Sequence, residues 1–431
     1  MMSDRDRAML LDRVVRAVLE AASPGPMVRR ALDAHPLPSG SCRLLAVGKA
    51  SCTMAEAALE VLGGRVASAL VVGVDGGPGV QSPLIERLVA DHPLPTARNT
   101  AAAERVRAFA ADAAAAESLL VLLSGGASAL LCLPRRSLGL QQIASVTDAL
   151  LRAGAPIEAL NTVRKHCEVL KGGGLAAMSG AGSLMALVLS DVLGDRLDVI
   201  GSGPTAPDPT TFVDALGVLE RWGVDGVSPA VHALLRRGAA GEESETVKPG
   251  DPIWARVQNR VIGGNHVAID AAVEAVRSDG GEIAGRRERV EGEAAAVGRS
   301  LAREARSLLI GNGTPSRALV WGGETTVTVG TASGLGGRNQ ELALAAAIGL
   351  DGASGVSVLS LATDGRDGPT DAAGACVDGQ TCARIRRAGI DPNEALGRHD
   401  SHTALDAAGA LRRTGPTGTN INDVMMAIVD G

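Results

Sequence analysis

Short apolar runs alternate with Ala-rich segments along most of the chain. The apolar runs predict buried strands at residues 44–47, 69–74, 119–123, 184–189, 260–262, 318–321, 356–362 and 424–429. The Ala-rich segments 101–116 and 341–350 favour helix, because alanine has the highest helix propensity. Alternation of this kind predicts parallel sheets with crossover helices. Segment 319–329 is an exception, since two β-rich runs flank a Gly-Gly-Glu turn and predict a hairpin.

The length of the chain predicts two domains. Its 431 residues exceed the usual single-domain range of roughly 50–250 residues. The least core-like segment is 236–252, where Gly, Glu, Ser and Pro replace apolar residues. We therefore expect one domain at 1–240 and a second at 241–431. The N-terminus has no apolar signal core, and no stretch approaches the ~20 apolar residues of a membrane span, so we expect a cytoplasmic protein without a membrane partner.

Composition argues against nucleic-acid binding. The chain has no Tyr, two Phe and three Trp, so base stacking has almost no side chains to use. Its net charge is −6 and it contains no basic block, whereas nucleic-acid binding depends on basic patches. Six cysteines form no C-x-x-C pair and are expected to be reduced.

Three loops after predicted strands or before predicted helices are candidate anion sites. Lys49, one of only four lysines beside 38 arginines, follows Gly48 where a strand opens into a helix. Ser124, Gly125, Gly126 and Ser128 could form an anion nest at a helix start, although a simple N-cap is an equal alternative. Arg338 follows two glycines at another helix start, where its fork can meet phosphate oxygens. An ordinary surface residue remains the alternative for Lys49 and Arg338.

Two known glycine signatures do not match. The Walker A pattern fails because Arg43 stands at the position of its first glycine and Ala50 at the position of its Ser or Thr. The dinucleotide fingerprint fails because segment 334–339 lacks the final glycine. A P-loop NTPase and a standard NAD enzyme both become less favoured.

Carboxylates also follow predicted strands. Asp191 lies in segment 190–195, and Asp364, Asp367 and Asp371 lie in segment 363–371. Such oxygen ligands suit Mg²⁺ that carries a nucleotide, and a carboxylate can also take a proton from an attacking hydroxyl. Plain acidic turns are the alternative. The histidines match no zinc spacing, and Ser124 is not in a G-x-S-x-G elbow.

Taken in order, the motifs resemble the glycerate kinase family with a C-terminal MOFRL domain, some members of which have been labelled hydroxypyruvate reductases. In the first half they are Val47-Gly48-Lys49-Ala50, His92-Pro93-Leu94-Pro95, Leu123-Ser124-Gly125-Gly126-Ala127-Ser128, Asn161-Thr162-Val163-Arg164-Lys165-His166, Lys171-Gly172-Gly173-Gly174, Leu189-Ser190-Asp191-Val192 and Gly201-Ser202-Gly203-Pro204-Thr205. In the second half they are Gly322-Gly323-Glu324-Thr325, Gly336-Gly337-Arg338-Asn339-Gln340-Glu341-Leu342, Thr363-Asp364-Gly365, Asp367-Gly368-Pro369-Thr370-Asp371 and Gly415-Pro416-Thr417-Gly418-Thr419-Asn420.

The resemblance implies an α/β fold with an N-terminal Rossmann-like α/β/α domain, a C-terminal α/β domain containing the MOFRL region, and an active site in the interdomain cleft. It implies ATP-dependent phosphorylation of D-glycerate, usually at the 2-hydroxyl, with Mg²⁺. Lys49 and Arg338 match positions that handle the phosphoryl group. Asp191, Glu324, Asn339 and Asp364 match other cleft-lining positions. Of these, we predict Asp191 as catalytic, Glu324 and Asn339 as substrate- or nucleotide-binding together with the Ser-Gly-Gly loop, and Asp364 with Asp367 as metal ligands.

Two other functions stay open at this stage. One is an NAD(P)H-dependent hydroxypyruvate reductase, against which the missing dinucleotide fingerprint counts. The other is a non-catalytic protein that binds phosphorylated metabolites, which needs the anion loops but not the carboxylates. The sequence leaves the choice between the 2- and 3-hydroxyl open, and likewise the choice between monomer and homodimer.

Overall fold

A computed structural model describes residues 3–75, 82–309, 315–330 and 334–430. The chain folds into two compact units. We call Pro24–Ile262 the central unit, and Met1–Ser23 together with Gly263–Gly431 the terminal unit. The N-terminal helix thus belongs with the second half of the chain. Residues 241–262, which follow the predicted boundary, belong with the first half.

Strands and helices alternate through both units. The described strands are β1 Cys42–Val47, β2 Val66–Gly73, β3 Ile85–Val89, β4 Ser118–Leu123, β5 Ser183–Leu189, β6 Val257–Gly263, β7 Glu282–Val290, β8 Arg317–Gly323, β9 Val356–Ala362, β10 Gly374–Asp378, β11 Leu411–Arg412 and β12 Asp423–Val429. The described helices are α1 Asp4–Ala21, α2 Pro24–Ala34, α3 Ser51–Leu62, α4 Ala97–Ala111, α5 Ala127–Leu130, α6 Leu140–Arg152, α7 Ile157–Cys167, α8 Gly174–Met178, α9 Phe212–Arg221, α10 Pro229–Ala239, α11 Asn265–Ser278, α12 Ala294–Ser307, α13 Arg338–Gly349, α14 Thr381–Arg387, α15 Pro392–Gly397 and α16 Ser401–Ala407.

The sheet of the central unit has the strand order β3-β2-β1-β4-β5-β6. Strands β1 to β5 pair in parallel. Their middle strands are buried on both faces, so they consist of continuous apolar residues instead of an alternating pattern. Val47 pairs with both Val72 and Leu123, so the loops after β1, β2 and β4 leave the same edge of the sheet. In open α/β sheets this carboxyl edge is where ligands bind.

The sheet of the terminal unit is mixed, which makes the prediction of parallel sheets wrong for this half. Its order is β11-β10-β9-β12-β8-β7, and only β7 and β8 of the described strands pair in parallel. Strand β12 lies between β8 and β9 and runs antiparallel to both. Consequently Asp423, at the start of β12, faces Gly323 and Ala362 at the ends of β8 and β9.

The predicted hairpin at 319–329 is also wrong. Strand β8 ends at Gly323, and Thr326 forms only an isolated parallel bridge with Glu293. The physical reason is the position of β8 inside the sheet. Both of its edges are already paired, one with β7 and one with β12, so no edge is left for a hairpin partner.

The interior is consistent with the composition. The core of the central unit packs Val, Leu and Ala side chains from β1, β2, β4 and β5 against helix α4. A second core of the same kind fills the terminal unit around α13. All six cysteines are free thiols in the structure, and five of them are buried.

Candidate active site

The loop carrying Lys49 is tied to the neighbouring Ser-Gly-Gly loop. The backbone N–H of Lys49 donates to the carbonyl of Gly125 at 2.9 Å. The N–H of Ala50 donates to Ser124 Oγ at 3.1 Å. Helix α3 then begins at Ser51. These bonds fix Lys49 at the carboxyl edge of the central sheet, beside the loop that follows β4.

Lys49 differs from the other three lysines in its surroundings. Lys165 pairs with Asp208 at 3.3 Å, Lys171 with Glu168 at 2.9 Å and Lys248 with Glu245 at 3.0 Å. Within the described residues, the ammonium group of Lys49 has neither an ion-pair partner nor a hydrogen-bond acceptor. An uncompensated positive charge at this edge of the sheet is available to an anionic ligand.

At both Gly125 and Gly126 a larger residue would crowd a neighbouring side chain. A Cβ on Gly125 would lie 2.6 Å from Asp191 Oδ2. Gly126 has a left-handed backbone with φ of 87°, and its Cβ would lie 3.0 Å from His92 Cδ2 and 3.6 Å from Lys49 Cγ. The structure therefore brings Lys49 and Asp191, which the sequence predicts as site residues in separate loops, to the same pair of glycines.

The backbone amides of this loop are also available. In the part of the chain that the structure describes, the N–H groups of Gly125 and Gly126 donate to no acceptor. Buried or half-buried N–H groups are nearly always paired in folded proteins, so two consecutive unpaired ones indicate a missing partner. Successive free amides beside a lysine form an anion-binding nest. This supports the predicted binding role of the loop over a simple N-cap.

The two serines of the loop are engaged with the protein itself. Ser124 Oγ accepts the N–H of Ala50, and Ser128 Oγ lies 2.8 Å from Ser202 Oγ. The carbonyl of Ser128 accepts hydrogen bonds from Lys171 Nζ at 2.7 Å and from Arg164 at 3.1 Å. Both serines thus hold the loop in place, and its free donors are the glycine amides.

His92 is a site residue whose role the sequence did not indicate. It belongs to a motif that supports the family resemblance, but the motif alone assigns it no chemistry. Its ring packs on Gly126 and remains open to solvent on its outer side. Partial desolvation, and then the positive charge of Lys49, lower the pKa of His92.

In the terminal unit, Arg338 lies between two carboxylates at the start of α13. Its Nε donates to Asp423 Oδ2 at 2.6 Å and its Nη1 to Glu324 Oε1 at 2.7 Å. Burial opposes the charge of Arg338, but the charge of Asp423 outweighs it and keeps the pKa of Arg338 above its usual value. Burial raises the pKa of Asp423 to about 6, although Arg338 opposes the rise. Asp423 was not predicted from the sequence.

Asn339 and Asp367 are joined in one hydrogen-bond network. Asp367 Oδ1 accepts the backbone N–H of Asn339 at 3.0 Å, and Oδ2 accepts that of Gln340 at 2.8 Å. The Oδ1 atom of Asn339 in turn accepts from Ser360 Oγ at 2.6 Å. Burial raises the pKa of Asp367, and the two backbone hydrogen bonds oppose the rise. Asp367 therefore caps the first turn of α13 with both of its oxygens.

Asp364 has a different environment from Asp367. It is half-buried, and its Oδ1 accepts the N–H of Arg366 at 2.9 Å in a tight turn. Nearby, the carbonyl of Asn422 accepts from Thr363, while the side-chain oxygen of Asn422 is buried without a partner.

No group of three or more His, Cys, Asp or Glu residues suited to a metal ion occurs within the described ranges. Nor does any described helix have the length and apolar character to cross a membrane.

Together these features define a class: a two-unit α/β protein with a glycine loop that offers free amides beside a lysine in one unit, and a half-buried arginine held by carboxylates in the other. Two family models match the chain, "Domain of unknown function (DUF4147)" over residues 10–236 and "MOFRL family" over residues 317–423. The chain belongs to the glycerate kinase family with a C-terminal MOFRL domain.

Relatives with a named activity cover almost the whole chain. D-glycerate 2-kinase of Thermotoga maritima is 40% identical, over 96% of this chain and 97% of that protein. Glycerate 2-kinase of Pyrococcus horikoshii is 38% identical, over 90% of this chain and 88% of its own length. The crystal structure of glycerate kinase from T. maritima matches with a TM-score of 0.89 at 40% identity, covering 98% of this chain and 99% of that chain. This agreement confirms the predicted two-domain α/β fold.

Proposed function

We propose that the protein is a glycerate kinase that transfers the γ-phosphoryl group of ATP to the 2-hydroxyl of D-glycerate, giving 2-phospho-D-glycerate and ADP. The observation that carries the proposal is that the ammonium group of Lys49, which has no counter-charge among the described residues, lies beside the free amides of Gly125 and Gly126. Phosphoryl transfer depends mainly on positioning and on stabilising charge, and this loop offers both. The names of the relatives support the same reaction.

The predicted site residues take roles that follow from their contacts. Lys49 and the glycine amides bind the phosphate chain, and Arg338 is the candidate for a second positive charge on the transferred group. Asp191, which lies against Gly125, orients the acceptor hydroxyl. Glu324 holds the guanidinium of Arg338 in place. Asn339 lies in the first turn of α13, where its side chain is fixed by Ser360 and Asp367.

Magnesium is proposed as the ion that accompanies ATP. Mg²⁺ uses one or two protein carboxylates together with phosphate oxygens, and it would neutralise charge on the nucleotide. Asp364 fits this use, because its carboxylate is half-buried and the partnerless oxygen of Asn422 belongs to the same group of loops. Asp367 fits less well, since both of its oxygens already accept amide hydrogen bonds. We therefore favour Asp364 as the ligand and Asp367 as the helix cap.

The proposal is tested by measuring ADP formation from ATP and Mg²⁺ with and without D-glycerate. We expect ADP release that requires D-glycerate, and its loss in Lys49→Ala. A second cuvette contains NADH and hydroxypyruvate without ATP. Oxidation of NADH there, with no glycerate-dependent ADP, would identify a reductase instead. Thermal stabilisation by phosphorylated metabolites without any turnover would identify a binding protein.

A further inference from the structure

His92 lies beside the proposed phosphate-binding loop, at the carboxyl edge of the central sheet. Its Cδ2 and Nε2 atoms would lie 3.0 and 3.3 Å from a Cβ on Gly126, and Lys49 Cγ would lie 3.6 Å from the same point. The imidazole and the lysine thus flank one glycine whose amide N–H is free. Asp191 flanks the preceding glycine.

The loop that carries His92 is built by one buried side chain, Asn99. Its Oδ1 accepts the backbone N–H groups of Asp91 at 3.1 Å and Thr96 at 2.9 Å. Its Nδ2 donates to the carbonyls of Asp91 at 2.8 Å and Ala129 at 2.9 Å. Because Ala129 belongs to α5, which directly follows the glycine pair, Asn99 couples the position of His92 to that of Gly126. The fold therefore places this imidazole at the glycine loop by a dedicated buried contact.

The ring nitrogens of His92 are available to a ligand. Among the described residues neither nitrogen has a hydrogen-bond or ion-pair partner, whereas ring nitrogens of three other histidines make four hydrogen bonds to the protein. For comparison, His166, His399 and His402 all bond to a carboxylate. The ring nitrogens of His92 therefore make no hydrogen bond or ion pair, among the described residues, that would give this side chain a structural role.

The charged groups around His92 favour the neutral imidazole. Lys49 is the charge that acts on it, and it disfavours protonation. Asp91, the neighbouring carboxylate in the chain, is engaged by Arg98 at 3.0 Å and by Thr96 at 2.5 Å. Asp191 lies on the far glycine of the pair. A neutral imidazole can accept a proton at physiological pH.

We infer that His92 is a further catalytic residue of the proposed kinase, the group that takes the proton of the acceptor hydroxyl. The inference rests on the proposed function. In the step, the glycerate oxygen forms a bond to the γ-phosphorus while the bond from that phosphorus to the bridging β–γ oxygen breaks. ADP leaves with the electron pair, and the hydroxyl proton moves to a ring nitrogen of His92. Asp191, which lies beside Gly125, orients the hydroxyl.

The test measures kcat/KM for D-glycerate from pH 5 to pH 9, at saturating ATP and Mg²⁺, for the wild type, His92→Gln and His92→Ala. We expect the wild-type rate to fall on the acid side as one group with a pKa below that of free histidine becomes protonated. Both variants should lose about 10²-fold or more, and that acid limb should disappear. Since the ring is open to solvent, added imidazole should restore part of the rate of His92→Ala.

A matched control and the outcomes separate this inference from the proposed function. His232→Ala, on helix α10 of the same unit, should keep the wild-type profile. Near-normal rates in both His92 variants, or an unchanged acid limb in His92→Gln, would overturn the role of His92 while the kinase activity stands. Loss of activity without imidazole rescue and with lowered thermal stability in both variants would point to a structural role and also overturn it. A wild type without glycerate-dependent ADP formation would overturn the proposed function and this inference together.

Discussion

Replacing Lys49 with alanine removes a positive charge that has no ion-pair partner among the described residues. The consequences for turnover and for stability are therefore expected to differ sharply. Turnover should suffer because the ammonium group is proposed to stabilise charge on the transferred phosphoryl group. Stability should not, because the change breaks no ion pair and removes a charge next to the imidazole of His92.

The size of the effect on turnover follows from Coulomb's law. A unit positive charge about 4 Å from a unit negative charge contributes about 4 kcal/mol at an effective dielectric constant of roughly 20. Since each 1.36 kcal/mol corresponds to a factor of about ten in rate, kcat/KM should fall by about 10³-fold. The change in unfolding free energy should stay within about 0.5 kcal/mol, as for other substitutions that break no contact.

The assay combines steady-state kinetics for D-glycerate with thermal unfolding of the same preparations. Lys248→Ala is the matched control, because Lys248 pairs with Glu245 at 3.0 Å in the same unit but lies in no proposed site. We expect the opposite pattern there, a lowered Tm with turnover preserved. Lys49→Ala with a near-normal kcat/KM, or with a Tm several degrees below the wild type, would refute the reasoning.

Three further substitutions test separate contacts. Gly126→Ala should lower kcat/KM at least tenfold with little loss of Tm. A Cβ on a residue with φ of 87° costs roughly 1–2 kcal/mol locally, and it would lie 3.0 Å from the ring of His92. Unchanged kinetics would exclude the glycine nest. Asp367→Ala should reduce the unfolding free energy measured in urea by about 2–4 kcal/mol, since two buried amides lose their acceptor. Unchanged stability together with a raised Mg²⁺ requirement would instead indicate that Asp367 is a metal ligand. Asp423 has a pKa raised to about 6, so it binds its proton more tightly in the folded state, and its contribution to stability should decline as pH rises from roughly 4 to about 6. Asp423→Asn should flatten that part of the pH–stability curve, and an identical slope in the variant would contradict the raised pKa.

Most of the strands that the sequence predicts are buried on both faces, and the half-buried edge strand β6 is an exception. The middle strands of the central sheet are continuous apolar runs, and a run of that kind is visible without knowledge of its neighbours. Of the strands that the pattern does not predict, β3 and β7 lie at the edges of their sheets and contain charged residues, and β11 is an edge strand of only two residues. The pattern also does not predict β10, which lies inside its sheet. Charges on an edge strand prevent it from pairing with other chains. Because of the same charges, the strand contains no apolar run by which it could be predicted.

Strand direction could not be predicted in the terminal unit. Strand β12 is as buried as a parallel strand, because both of its edges are paired and both of its faces are covered. Burial of both faces is what usually marks a parallel strand, so the pattern gave no sign that β12 is antiparallel. Its reversed direction is what brings Asp423 to Arg338.

The same distinction applies to the site. Several proposed site residues follow predicted strands or begin predicted helices, so their position at the end of a strand or the start of a helix could be predicted from the local pattern. They are Lys49, Gly125, Gly126, Asp191 and Arg338. The partner of Arg338 could not, because Asp423 is 85 residues away along the chain. The position of His92 in the site could not be predicted either, because only the folded structure shows that its ring lies beside Gly126. Contacts between distant residues depend on the packed fold, which no local spacing encodes.

The most direct test of the central claim is a phosphorus NMR spectrum of the reaction of the purified protein with ATP, Mg²⁺ and D-glycerate. The proposed function predicts that the γ-phosphate signal of ATP is replaced by the signals of ADP and of 2-phospho-D-glycerate, and that Lys49→Ala leaves the ATP signals nearly unchanged over the same time. A signal of 3-phospho-D-glycerate would correct the site of phosphorylation. Unchanged ATP signals with the wild-type protein would contradict the account.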